Sequence, residues 1–80
     1  MKKFQLLVAT PTSVEFAGEA ESLTIPGASG EMTILPEHSA IVSELKSGGI
    51  RIISDGKETT LSVGRGVVEV GNNKVTLLIE

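Results

Sequence analysis

The sequence predicts an all-β fold: a small β-sandwich of about eight to ten short strands, built as one domain over residues 1–80. Three observations carry this reading. Apolar and polar residues alternate with period two along most of the chain, turn residues break the alternation at close intervals, and no helix-length stretch has 3.6-residue periodicity. A domain of 80 residues buries only about 60% of the surface its unfolded chain exposes, so its own stability is modest and a bound partner adds to it by mass action.

In order, Phe4, Leu6 and Val8 line one face of a first strand, and Thr10-Pro11-Thr12 turns the chain. Lys2-Lys3 before Phe4–Ala9 has the look of a signal peptide, but Gln5 interrupts the apolar run and Thr10-Pro11 stops it too early. It reads instead as a first strand of a cytoplasmic protein. Val14 and Phe16 give a short second strand ending at Ala17-Gly18, and Glu21–Ile25 a third, closed by Pro26-Gly27.

Gly30–Ile41 concentrates the unusual chemistry. Met32 and Ile34 face a core, Glu31 and Thr33 face out, and Pro36, which has no amide proton to donate, ends the strand. Ile41–Lys46 is a further extended piece, and Gly48-Gly49 resets the backbone before Ile50–Ile53. Asp55-Gly56 between two apolar runs is the strongest local signal, because a two-residue type I′ turn needs positive φ at both central positions. Leu61 and Val63 lead to Gly64-Arg65-Gly66, read as a tight bend or bulge. Val67–Val70, a turn at Gly71-Asn72-Asn73, and Lys74–Glu80 with Val75, Leu77 and Ile79 on one face close the chain.

One feature exceeds what a two-sheet core needs. The doublets Leu6-Leu7, Ile34-Leu35, Ile41-Val42, Ile52-Ile53, Val67-Val68 and Leu77-Leu78 place apolar side chains on both faces of their strands, which leaves apolar surface outside the core. That surface is expected to be a partner patch.

The inventory excludes several function classes. The formal charge is −3, and the seven Lys and Arg are scattered, so there is no basic field for phosphate backbones; Phe4 and Phe16 are the only aromatics, too few for base stacking. There is no cysteine, hence no disulfide framework, thiol nucleophile or thiolate metal site. His38 alone offers a metal a nitrogen, and Asp55 is committed to its turn, so neither a zinc site nor a Ser-His-Asp triad assembles. Gly64-x-Gly66 does not continue into a phosphate-binding pattern. Neither a cofactor, a metal nor a small-molecule substrate is expected.

Gly30-Glu31-Met32-Thr33-Ile34-Leu35-Pro36-Glu37-His38-Ser39-Ala40 resembles the G-E-[LM]-x-I-[LY]-P-x-H-[AS] segment of the epsilon subunit of rotary F-type ATP synthases. Gly49-Ile50-Arg51-Ile52 and Gly66-Val67-Val68-Glu69-Val70 are similar to the family's G-x-[IL]-R-[IVF] and G-[GF]-x-x-E-V segments, and the likeness runs the length of the chain. The resemblance implies a noncatalytic sandwich at the foot of the central stalk, coupling the gamma subunit to the membrane c-ring. Carried over by position, it implies a c-ring contact for Glu31 and a gamma-facing segment at His38, Ser39, Ala40, Ile41 and Val42. It further implies a protein peripheral to the cytoplasmic face of the bacterial inner membrane, or to the equivalent chloroplast stromal face. Family members continue into a C-terminal helical hairpin, which residues 1–80 do not include, so inhibition of hydrolysis and nucleotide binding are not carried over.

Two rival readings stand beside this one. A free-standing adaptor or carrier domain is also a small sandwich, and Lys57 follows a hairpin turn, but without the flanking residues that mark a biotinyl or lipoyl lysine. An acid/base enzyme using Glu31, Glu37 and His38 requires those side chains to meet beside a pocket.

Overall fold

The computed structural model describes residues 2–80. Nine strands follow one another among the described residues: β1 (Phe4–Ala9), β2 (Val14–Ala20), β3 (Ser22–Gly27), β4 (Gly30–Ile34), β5 (Ile41–Leu45), β6 (Gly48–Ser54), β7 (Lys57–Val63), β8 (Gly66–Gly71) and β9 (Lys74–Ile79). They form two layers joined along one side. The first layer runs β2-β1-β9-β8-β5 and the second β4-β3-β6-β7, with the Gly27–Leu45 pair linking β3 to β5. The expected all-β sandwich is therefore what the chain folds into.

Alternation decides which side chains are buried. Leu6, Val8, Val68, Val70, Val75, Leu77 and Ile79 point inward from the first layer and meet Leu23, Ile25, Ile34, Ile50 and Ile52 from the second. Each such burial removes enough apolar surface from water to contribute about 1.5–3 kcal/mol before conformational entropy is counted. β1 and β9 lie parallel, with Leu6 opposite Val75 and Val8 opposite Leu77, so the two ends of the chain share the centre of one sheet. Nothing in the local pattern predicts that pairing.

Several expectations hold in detail. Asp55 (φ 52°) and Gly56 (φ 76°) both take positive φ, as the β6–β7 hairpin requires. Asn72 (φ 48°) and Asn73 (φ 57°) do the same at the β8–β9 turn. Glu31 and Thr33 face out, Ile34 is buried, Met32 packs against the core, and β4 stops before Pro36.

Four expectations are corrected. The second strand does not end at Ala17-Gly18 but runs to Ala20, which is fully buried opposite Phe4. The third strand is not closed by Pro26-Gly27; it continues through both, pairing them with Glu31 and Gly30, while on the other side the Pro26 carbonyl accepts the Lys46 amide at 2.8 Å. Gly48 and Gly49 belong to β6, opposite Val63 and Ser62; a Cβ on Gly48 would press to 3.3 Å from the Pro26 ring, so glycine lets the two strands lie together. The expected bend in Gly64-Arg65-Gly66 falls at Arg65, but Gly66 has no part in it: it pairs in step with Leu45 and Ile79, and glycine is required because β9 passes where its side chain would stand. The irregularity falls instead where Val8 and Ala9 face Phe16 and Val14, leaving Glu15 as the extra residue of a bulge.

Candidate functional site

The outward face of the first layer is the most unusual surface of the protein. Register places Val14, Ala9, Leu78, Val67 and Glu44 side by side across all five strands. The next row is Ala17, Leu7, Thr76, Glu69 and Val42. Val42 is 71% exposed, Val14 62%, Leu78 58%, Val67 40% and Leu7 36%. These are large apolar side chains in two adjacent rows, and they include the outward members of four sequence doublets. A shallow, mostly apolar groove runs through Ala9, Pro11, Val67 and Leu78, bordered by Glu44 and by the Arg65–Glu80 ion pair at 3.2 Å. A second groove on the same face follows Leu7, Ala17, Glu69 and Thr76.

Of the residues expected to face gamma, the structure brings Val42 onto this surface and turns Ile41 inward against the core, because the two are neighbours on one strand. His38, Ser39 and Ala40 form the loop leading into β5. The His38 amide donates to the Leu35 carbonyl at 3.2 Å, and its ring Nδ1–H donates to the Ser39 carbonyl at 2.7 Å.

Glu31 lies at the opposite end of the sandwich. It stands beside the exposed tip of the β3–β4 hairpin, where the Ala28 amide donates to the Glu44 carbonyl at 3.1 Å. Glu31 is the second residue of β4, and Met32–Ile34 carry the strand about 10 Å further toward the His38 loop, at about 3.3 Å per residue. Glu31, Glu37 and His38 are therefore not brought together, and neither groove is lined by any of them. Lys57 is the first residue of β7, paired with Ser54, and stands beside the turn rather than at its centre.

At the His38 end, residues far apart in sequence converge. Lys2 Nζ donates to both Glu37 carboxylate oxygens at 3.1 Å, and Lys3 Nζ pairs with Asp55. The hydrogen bond from Lys3, then its charge, holds the Asp55 carboxyl below its ordinary value, with Lys57 adding a little; the same bond and charge raise the Lys3 ammonium. The Gly56 amide donates to Glu21 Oε1 at 3.1 Å. Asn73 donates through Nδ2 to the Lys3 carbonyl at 2.6 Å and accepts the Glu37 amide on Oδ1 at 2.8 Å. Sequence reasoning passed over Asn73; its only local signal was its place in a turn, since the partners lie 36 and 70 positions away.

The described residues define a small nine-strand β-sandwich domain whose outer face carries Val14, Leu78, Val67, Val42 and Leu7 in the open. Residues 3–80 match the family described as the ATP synthase delta/epsilon chain β-sandwich domain, and the chain belongs to that family. It is 41% identical to the ATP synthase epsilon chain of Sulfurimonas denitrificans over 81 residues, covering all of this chain and 62% of that one. It is 39% identical to the epsilon chain of Chlorobaculum tepidum over 80 residues, covering 99% of this chain and 91% of that one. The chain spans about three-fifths of the length of several curated relatives, at 61–63%. The fold superposes with a TM-score of 0.90 on a chain in the Euglena gracilis mitochondrial ATP synthase OSCP/F1/c-ring structure, at 20% identity, covering 96% of this chain and 50% of that one.

Proposed function

We propose that this chain serves as a coupling element of a rotary F-type ATP synthase, gripping the gamma subunit and resting on the c-ring without chemistry of its own. The observation that carries the reading is the set of exposed large apolar side chains, Leu7, Val14, Val42, Val67 and Leu78, in adjacent rows on the outer face of β2-β1-β9-β8-β5, in a chain of the delta/epsilon family. Gamma docks on that face, reaching Val42 and the loop residues His38, Ser39 and Ala40 at one edge. Glu31, exposed beside a hairpin tip, meets polar and basic groups of the c-ring loops, where charge complementarity fixes register more than it adds affinity. A close-packed sandwich resists deformation, so it passes torque between the two contacts during ion-driven synthesis. The protein then sits peripheral to the membrane through its complex.

The test is gel filtration of the protein with the gamma subunit of its own organism, followed by a thermal melt. Co-elution with a raised melting temperature is expected, and Val67→Lys with Leu78→Lys abolishes both. Glu31→Gln and Glu31→Arg leave gamma binding intact and lower ATP synthesis in the assembled enzyme. Gamma binding that survives both lysines, or coupling indifferent to Glu31, overturns the corresponding contact.

A further inference from the structure

We propose that Asn73 is the positioning residue for the His38–Ala40 loop, holding it in the shape that a docked partner reads; the docking half of this proposal rests on the gamma-facing reading above. The geometry is specific. Asn73 sits in the β8–β9 turn with φ 57°, and its backbone carbonyl accepts the Gln5 amide at 3.0 Å, which ties the turn to β1. Both ends of its side-chain amide are then used, Nδ2 on the Lys3 carbonyl and Oδ1 on the Glu37 amide. One side chain thereby joins the chain leading into β1, the β8–β9 turn and the β4–β5 loop.

The loop needs such a hold because Glu37 is a non-glycine residue at φ 66°, a conformation in which its Cβ is crowded. Three contacts over-determine it: the Asn73 Oδ1 bond to its amide, the Lys2 ammonium on its carboxylate, and the next amide, His38, turned back onto Leu35. The Lys2 contact joins two exposed side chains, which salt screens. The His38–Leu35 bond closes the turn within the loop, whereas the Asn73 bond ties the loop's backbone to another part of the fold, so it sets where His38, Ser39 and Ala40 point.

The experiment compares wild type with Asn73→Gly. Asn-Gly is itself a favoured type I′ pair, so Asn73→Gly keeps the turn and removes only the side-chain bonds. Amide exchange of Glu37 in the free protein is expected to quicken about tenfold in Asn73→Gly while that of Gly56, in the other hairpin, stays at the wild-type rate, and gamma affinity is expected to fall by about the same factor as the Glu37 change. Unchanged Glu37 exchange in Asn73→Gly, or Gly56 exchange quickened equally, overturns the positioning role. Faster Glu37 exchange with unaltered gamma affinity overturns the partner-facing reading of the loop instead, and wild-type protein that binds no gamma overturns the docking reading as a whole.

Discussion

The main-chain carbonyl of Leu78 occupies the space that a side chain on Gly66 would need. β8 and β9 are paired in step from Gly66–Ile79 to Gly71–Lys74, so the encounter cannot be relieved by sliding one strand. Gly66→Ala forces the two central strands of the first layer apart and is expected to cost about 1–3 kcal/mol in a denaturant melt. Gly71, at the other end of β8, has open space where its Cβ would be, and Gly71→Ala is expected within about 0.5 kcal/mol of wild type. Equal effects at the two positions would mean that glycine is required here for something other than room.

The Lys3–Asp55 pair gives a stability term with two pH edges. Asp55 has its carboxyl pKa lowered on folding, so its contribution is present above the ordinary value of 3.8 and disappears as pH falls through the lower folded value. Lys3 has its pKa raised, so its contribution is complete below 10.5 and disappears as pH rises through the higher folded value. The melting temperature of wild type minus that of Asp55→Asn should therefore be positive and flat between those limits and vanish beyond both. Asn-Gly remains a good turn pair, which leaves the hairpin itself unchanged. Both groups are solvent-accessible, so added salt should shrink the difference. A difference that persists at high salt and at pH 2 would point to the turn rather than the ion pair.

Leu77 and Leu78 are adjacent and chemically identical, yet Leu77 is fully buried and Leu78 is 58% exposed. Leu77→Ala removes core packing and is expected to cost about 2–5 kcal/mol; Leu78→Ala should leave the melt within about 0.5 kcal/mol while weakening capture of gamma. Stability loss at Leu78 equal to that at Leu77 would show that the outer face is structural rather than a docking surface.

What was legible beforehand follows from the range of the interactions involved. Alternation marks inward and outward residues within a strand, so the core positions of β1, β4, β6 and β9 could be read locally, and so could the Asp55-Gly56 turn. The doublets announced an exposed apolar face because two consecutive strand residues cannot both point inward. Its composition was hidden. Val14, Ala9, Leu78 and Val67 become neighbours only once β1 pairs in parallel with β9, a contact between the two ends of the chain. Glycines misled for a related reason: Gly48 and Gly66 look like punctuation, but each is set by a strand arriving from elsewhere. Asn73 lay out of reach because its turn position accounts for it completely until Lys3 and Glu37 arrive beside it.

Glu21 supplies the last prediction. Its carboxylate accepts the Gly56 amide at 3.1 Å, while its own amide donates to the Ile53 carbonyl at 2.7 Å, so the β2–β3 corner clasps the β6–β7 hairpin from both sides of the turn. Glu21→Ala loses the side-chain half of that clasp and should cost about 0.5–1.5 kcal/mol, read as faster exchange of the Gly56 amide with little change at Asn72. Glu21→Gln keeps the acceptor oxygen but discards the charge beside Lys3, so it separates two explanations. Protection of Gly56 retained in Glu21→Gln assigns the effect to the hydrogen bond. Protection lost equally in both variants would assign it to the negative charge, and the hairpin's stability would then follow salt concentration as the Lys3–Asp55 pair does.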